Sequence, residues 1–291
     1  MADPSKLPPL PLTRASVEAA HKLIEPYIHK TPVLTNSTLN RLASTPRTAA
    51  ELEGTEWAGQ EPAKPVLRFW FKCENFQKVG AFKARGAFHA IERLKMEPGP
   101  HLPEREAVTA HIISQTSARF IPPYNHPDII LGAGTAALEL LTQIPSGIQL
   151  NAVITPCGGG GLLSGTALAC SETSTLVFGA EPSYEGADDC RRGFASGTRV
   201  PAVTTTTIAD GLRTPVGEIP WGIIYERKLV RGMYSVSEGE IRAAMRLVYE
   251  RMKVVVEPSA VVGLAVALFN EEFRGWWRGR VGRQGGIWGS V

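Results

Sequence analysis

A chain of 291 residues, 43% of them hydrophobic, can bury a real core as one large or two modest domains, which excludes disorder as its dominant state. Its 31 Lys and Arg against 28 Asp and Glu leave a formal charge of +3 with no basic block, so nucleic acid is excluded as a partner and a small anionic ligand is not. Cys73, Cys157, Cys170 and Cys190 stand far apart without CxxC spacing, which argues against zinc and against a secreted disulfide framework.

The proline-rich start MADPSKLPPLPLTR has no apolar core, and no later run reaches bilayer-spanning length. A soluble cytoplasmic protein without membrane association is therefore expected. In SVEAAHKLIEPYI, Val17, Ala20, Ile24, Tyr27 and Ile28 recur at helical spacing, with Ser16 as the expected cap. Residues 42–65 have no sustained period and read as a surface insertion. VLRFWFKCENF is β-rich, and the segment after Gly80 turns helical through Phe82, Ala87, Ile91 and Leu94.

From 98 to 128 the signal weakens, with PGPHLPERE and IPPYNHPD reading as loops. GAGTAALELLTQI suits a helix; NAVITPCGGGGLLSGTALAC runs from an apolar strand through four glycines into another; TLVFGAEP is a further buried strand. These βα units predict an α/β fold, a parallel sheet with helices on both faces. Ser237 and Glu240 have capping-box spacing ahead of Ile241, Ala244, Met245, Val248 and Met252. EPSAVVGLAVALFNEEF predicts an almost wholly apolar, central helix, whereas the tail RGWWRGRVGRQGGIWGSV fits neither helix nor strand.

Gly158, Gly159, Gly160 and Gly161 lie between a strand and a helix, where the lack of a Cβ lets successive N–H groups converge on an anion. A tight connection without ligand reads equally well from the glycines alone. The loop matches neither the Walker pattern nor G-x-G-x-x-G, so a phosphorylated cofactor without a nucleotide suits it best. Lys83, among small and apolar residues, is either a surface helix lysine or a desolvated amine able to attack a carbonyl. Pyridoxal 5′-phosphate offers both the aldehyde and the phosphate.

KVGAFKARGA resembles the cofactor-lysine signature of the serine/threonine dehydratase and serine racemase family, pyridoxal-phosphate enzymes related in fold to the tryptophan synthase β subunit. IEPYIHKTPVL, PPYNHPDIILGAGTAALELL, PCGGGGLLSGTAL, GAEPSYEGADDC, TIADGLRTPVG and MKVVVEPSAVVGLA follow in the family's order, covering most of residues 16 to about 270. The resemblance implies a cofactor-binding large domain over 1–82 and 126–291, a truncated remnant of a smaller α/β domain over 83–125, and a Schiff base on Lys83. It places Phe82 against the cofactor ring, Gly158 to Gly161 and Leu162 at the phosphate, Glu257 near the pyridine and Gly211 at the ring edge. Glu181, the Ala187 carbonyl and Asp189 resemble the family's divalent-cation site, for Mg2+ or Ca2+, in a loop two residues longer. Glu257 also reads as a helix N-terminal acid beside Pro258, and Glu181 and Asp189 as a solvated acidic turn.

The implied reaction is deamination of L-serine or L-threonine to a 2-oxo acid and ammonia, with a homodimer, or association with a full-length homologue, as the assembly. Two departures bear on it. The family's Ser-x-Asn-His-Gly loop, which binds the substrate carboxylate, is absent from residues 84–125, where roughly two βα units of about 30 residues each have no counterpart. The C-terminal S-G-G-N is replaced by Gln284-Gly285-Gly286-Ile287. A catalytically inactive cofactor-binding or partner-subunit homologue is thus the alternative, and racemisation, whose opposite-face serine belongs to the missing loop, is the less expected activity.

Overall fold

In the computed structural model, which describes residues 10–96, 121–277 and 285–290, the apolar runs assemble one six-stranded sheet. Helix α1 (Arg14–Ile24) leads to β1 (Val33–Leu34), α2 (Ser37–Ser44) and β2 (Phe69–Lys72). Then come α3 (Lys83–Lys95), α4 (Pro127–Gln143), β3 (Gln149–Pro156), α5 (Gly161–Cys170), β4 (Leu176–Pro182) and α6 (Asp189–Ser196). The chain ends with β5 (Gly232–Val236), α7 (Glu238–Leu247), α8 (Val262–Phe269), α9 (Glu271–Trp276) and β6 (Gly285–Ser290). The strand order is β1-β2-β6-β3-β4-β5, and every pair except β1–β2 is parallel.

Successive side chains of a strand point to opposite faces, and the two cores follow that alternation. Ile154 and Phe178 pack under α2, α7 and α8, whereas Val153 and Val177 pack under α1, α4 and α5. A register shift between Leu150 and Ala152 puts these two on opposite faces despite their even spacing. Phe178 meets Phe273 edge to face at 5.4 Å, the favoured aromatic geometry. α5 is buried along its whole length, as is α8 up to Leu268, which matches sequences that are apolar apart from Ser164 and Thr166 in α5.

Three expectations need correction. α1 begins three residues earlier than a cap at Ser16 suggests: Thr13 is the cap, its hydroxyl accepting the Ser16 N–H. Segment 42–65 is not wholly superficial, because Ala43, Leu52 and Ala63 are buried and Thr48 with Glu51 forms a second capping box. The Gly- and Trp-rich tail contributes a strand after all: β6 lies inside the sheet, pairing Phe69 with Ile287 and Val153 with Trp288. Its sequence has little strand propensity, and the backbone edges of β2 and β3 supply what local pattern does not. Gln284, together with HIISQTSARF, falls outside the described residues.

α3 lies close against α4. A Cβ at Gly132 would stand 2.6 Å from the Arg85 carbonyl oxygen, so only glycine permits this approach. Beneath the contact is a buried charge network. Arg85 donates to Glu74 at 2.7 and 2.8 Å and to Glu139 at 2.8 and 2.9 Å, while Lys72 Nζ donates to Glu139, Gln143 and the Thr31 carbonyl at 2.7, 2.7 and 2.8 Å. Burial opposes the Arg85 charge, but its two carboxylate partners outweigh burial and raise its pKa. Glu139 is likewise held below the usual carboxylate range despite its burial, by Arg85 and Lys72. Burial pushes Lys72 down although Glu139 pulls it up; three acceptors around Nζ require three N–H donors, and the ammonium form supplies them.

On the same helix His89 is buried, its Nδ1–H donating to the Asp128 carbonyl at 2.7 Å and its Nε2 unpartnered. Burial holds its pKa below the ordinary 6.5; Asp128 pulls upward, while Arg93 and His126 push down. A depressed folded pKa stabilises the fold above the unfolded pKa, and that contribution is lost as pH falls. The melting temperature is therefore expected to drop on acidification from about pH 7.5 to about 5.5, and to drop less in His89→Gln, as thermal unfolding across that range would show.

Candidate functional site

Strand β3 ends at Pro156, and Cys157 N–H still bonds the Ala180 carbonyl at 2.8 Å before the chain turns through the glycines into α5. Gly160 has φ +86°, a left-handed conformation that L side chains avoid. A Cβ at Gly158 would lie 2.9 Å from Leu212 Cα, and one at Gly159 would fall inside the Tyr124 ring. The absence of side chains is thus enforced by what surrounds the turn. No side chain caps α5, although its first residues are buried, so the free N–H groups and positive dipole of its N-terminus are offered to the cleft. A phosphate fits that requirement.

Opposite the turn, Lys83 is the first residue of α3. Lys83, Phe82, Gly158, Gly159, Gly160, Gly161, Leu162, Gly211 and Glu257 all line one cleft of about 590 Å³. Lys83 is its one basic side chain among the described lining residues, and its Nζ lies 5.2 Å from the Phe82 ring centroid. The neighbouring Lys78 points elsewhere, its Nζ 5.4 Å from the Phe88 ring, and takes no part in the lining. Of the two readings of Lys83, exposure favours the surface one: it lies exposed at the cleft rather than desolvated among the small residues around it. The burial that local sequence suggested falls instead on Ala84, Arg85 and Gly86.

Gly211 N–H donates to Ser259 Oγ at 3.0 Å, which ties the 211 turn to the turn carrying Glu257. A Cβ on Gly211 would meet Ser259 Oγ at 3.0 Å and Glu257 Oε1 at 3.7 Å. Tyr124, Asn75 and Ser259 also line the cleft, though the sequence assigned them no role there. Asn125, beside Tyr124, accepts the Ile219 N–H at 3.0 Å and so anchors the segment that brings the ring onto Gly159.

Gly160→Ala is expected to cost about 1–3 kcal/mol from the left-handed backbone alone. Overlap adds to this, since the new Cβ would stand 2.7 Å from Pro220 Cβ. Urea unfolding measures that loss, and titration with pyridoxal phosphate should show affinity weakened by at least about tenfold.

Glu181, Ala187 and Asp189 stand apart from the cleft lining, at the end of β4 and the start of α6. The solvated acidic turn is excluded, because both carboxylates are fully buried. Glu181 accepts the Cys190 and Arg191 N–H groups at 3.1 and 2.8 Å. Asp189 Oδ2 accepts the Val216 N–H at 2.9 Å, whereas Oδ1 has no partner. Burial raises both pKa values, Glu181 well above the carboxylate range and Asp189 to about 6. The spacing of the cysteines also misleads: Cys157 and Cys190 converge beside Glu181.

The family described as pyridoxal-phosphate dependent enzyme matches residues 99–279. The serine racemase of Dictyostelium discoideum is 38% identical over 322 aligned positions, covering 90% of each chain. The L-threo-3-hydroxyaspartate ammonia-lyase of Saccharomyces cerevisiae is 34% identical, covering 89% of this chain and 88% of that one. The crystal structure of the Dictyostelium discoideum serine racemase superposes with a TM-score of 0.75 at 34% identity over 96% of both chains. An alignment of 322 positions exceeds the 291 residues present, so part of that relative has no counterpart here. No helix among the described residues is long and apolar enough to cross a membrane. The chain belongs to the pyridoxal-phosphate-dependent enzymes.

Proposed function

We propose that the cleft between Lys83 and the glycine turn binds pyridoxal phosphate and deaminates a small β-hydroxy amino acid, L-serine or L-threonine, to a 2-oxo acid and ammonia. The observation that carries this reading is the shared cleft: a single lysine faces an uncapped, buried helix N-terminus across about 590 Å³. When bound, the cofactor supplies the electron sink for charge developing at the substrate Cα. The glycine-turn and α5 N–H groups hold its phosphate. Lys83 Nζ is the base that takes the Cα proton, and its exposed position at the start of α3 lets it swing toward substrate. Phe82 and Tyr124 give the cleft apolar walls that exclude water from the reacting bond.

The substrate carboxylate lacks the loop that would hold it in the resembled family, so orientation is the weak part of this catalyst. Misplacement of about 1 Å costs on the order of a hundredfold in rate, and turnover slow for this chemistry is the expected result. Racemisation is a second reading, favoured by similarity to serine racemases as well as to hydroxyaspartate ammonia-lyases. Incubation with L-serine, L-threonine and L-threo-3-hydroxyaspartate, with separate measurement of 2-oxo acid and D-serine, decides between them. Oxo acid without D-serine supports deamination, and D-serine alone supports the second reading. Cofactor binding with neither product would leave an inactive cofactor-binding homologue, and an assembly of this chain with a full-length relative would follow from a mass measurement on the mixture.

We also assign a divalent cation to Glu181 and Asp189, with the Ala187 carbonyl. The orphaned Asp189 Oδ1 and the raised pKa values of both carboxylates describe a buried site that a cation would satisfy.

A further inference from the structure

We infer that this cation site is thiophilic: Cys157 Sγ and Cys190 Sγ join a Glu181 carboxylate oxygen to hold Zn2+ or a similarly soft divalent ion, with a water as the fourth donor. The inference rests on the assignment of Glu181 to a cation and replaces Mg2+ or Ca2+ as the ion it would take. The three donor atoms lie within 4.8 Å of one another, and all three residues are fully buried. Hard cations are held by oxygen alone, whereas thiolates select zinc-like ions.

The fold brings these residues together through its parallel register. Pro156 of β3 stands opposite Ala180 of β4, so the next residues on the two strands are Cys157 and Glu181. Cys190 arrives from α6, whose N–H groups at Cys190 and Arg191 already grip the Glu181 carboxylate. Neither Glu181 nor Asp189 makes an ion pair among the described residues. The nearby Arg191 and Arg192 are spent on Asp188 at 3.2 Å each.

On binding, each S–H bond breaks and its proton leaves to solvent, as does any proton held by a carboxylate. Two metal–sulfur bonds and one metal–oxygen bond to Glu181 form, one water stays on the ion, and nothing is oxidised or reduced. Two thiolates and one carboxylate around a doubly charged ion give the same net charge as a three-cysteine, one-histidine zinc site. Because Cys157 directly precedes the glycine turn, the ion would clamp the root of the phosphate loop to β4 and α6.

The test is X-ray absorption at the zinc edge on the full-length protein, stripped with a chelator and reloaded with one equivalent of Zn2+. Two sulfur neighbours at about 2.3 Å are expected, with zinc retained against about a hundredfold excess of Mg2+. Cys157→Ser and Cys190→Ser should each reduce the count to one, while Cys73→Ser leaves it unchanged. Should either variant fail to fold, protection from alkylation in the wild type decides: zinc should slow labelling of Cys157 and Cys190 but not of Cys170. A shell of oxygen alone overturns the thiol ligands and leaves the carboxylate assignment standing. Failure to retain zinc or Mg2+ overturns both, and neither result touches cofactor binding, which is read separately from the visible absorbance.

Discussion

Lys83→Ala is expected to abolish turnover, lowering kcat by at least about a thousandfold, the range lost when a positioned general base is removed. The fold should hardly notice. Lys83 is exposed, with its Nζ 5.2 Å from the Phe82 ring centroid; surface changes of this kind fall within about 0.5 kcal/mol. Lys83→Arg should be equally inactive, because a guanidinium is effectively always protonated and cannot act as a base. Lys78→Ala, which removes a cation outside the cleft lining, should retain activity. Oxo-acid assays run beside urea unfolding separate loss of chemistry from loss of fold.

Arg85→Leu is expected to have the opposite profile, destabilising the protein by about 3–5 kcal/mol, because it leaves buried Glu74 without a cation and Glu139 with Lys72 alone. Glu74 and Glu139 would then face each other through a space that now holds four hydrogen bonds to the guanidinium. For a chain of this size that corresponds to a fall in melting temperature of roughly 10 °C. Arg85 sits on the first turn of α3 with Lys83, so the variant should also bind the cofactor less tightly by loosening the helix that presents the amine. Arg85→Lys should recover little, since an ammonium cannot reproduce the bidentate geometry to both acids. A control with Lys72, Arg85 and both acids replaced by apolar residues should regain much of the stability, for the cost lies in unpaired charge rather than in lost attraction.

The parts of the site that the sequence made legible are those whose chemistry is written in contiguous residues. A run of four glycines between an apolar strand and an apolar helix specifies the turn at 158–161 locally, and the words around Lys83 and Glu257 do likewise. What escaped reading was non-local. Lys72, Arg85, Glu74 and Glu139 look like ordinary surface charges in one dimension, and only the packing of β2, α3 and α4 makes them a buried network. Spacing rules for cysteine ligands assume neighbours along the chain, yet Cys157 and Cys190 meet through the register of β3 with β4 and the return of α6. β6 was hidden for a related reason: glycine and tryptophan carry no period-two pattern, and its place in the sheet is dictated by the strands on either side.

The same contrast explains why the desolvated reading of Lys83 fails while its position holds. Small neighbours in sequence imply a buried lysine only if the helix turns them all inward. α3 instead places Ala84, Arg85 and Gly86 against α4 and leaves Lys83 at the rim. An amine at a cleft mouth remains free to reach both a bound cofactor and an incoming amino acid.

The most direct measurement is borohydride reduction of the protein loaded with pyridoxal phosphate, followed by mass mapping of its peptides. A single phosphopyridoxyl group on the peptide carrying Lys83, absent in Lys83→Ala, is the predicted result. A label on Lys78 or on another lysine, with Lys83 unmodified, would contradict the joining of that amine and the glycine turn in one working site.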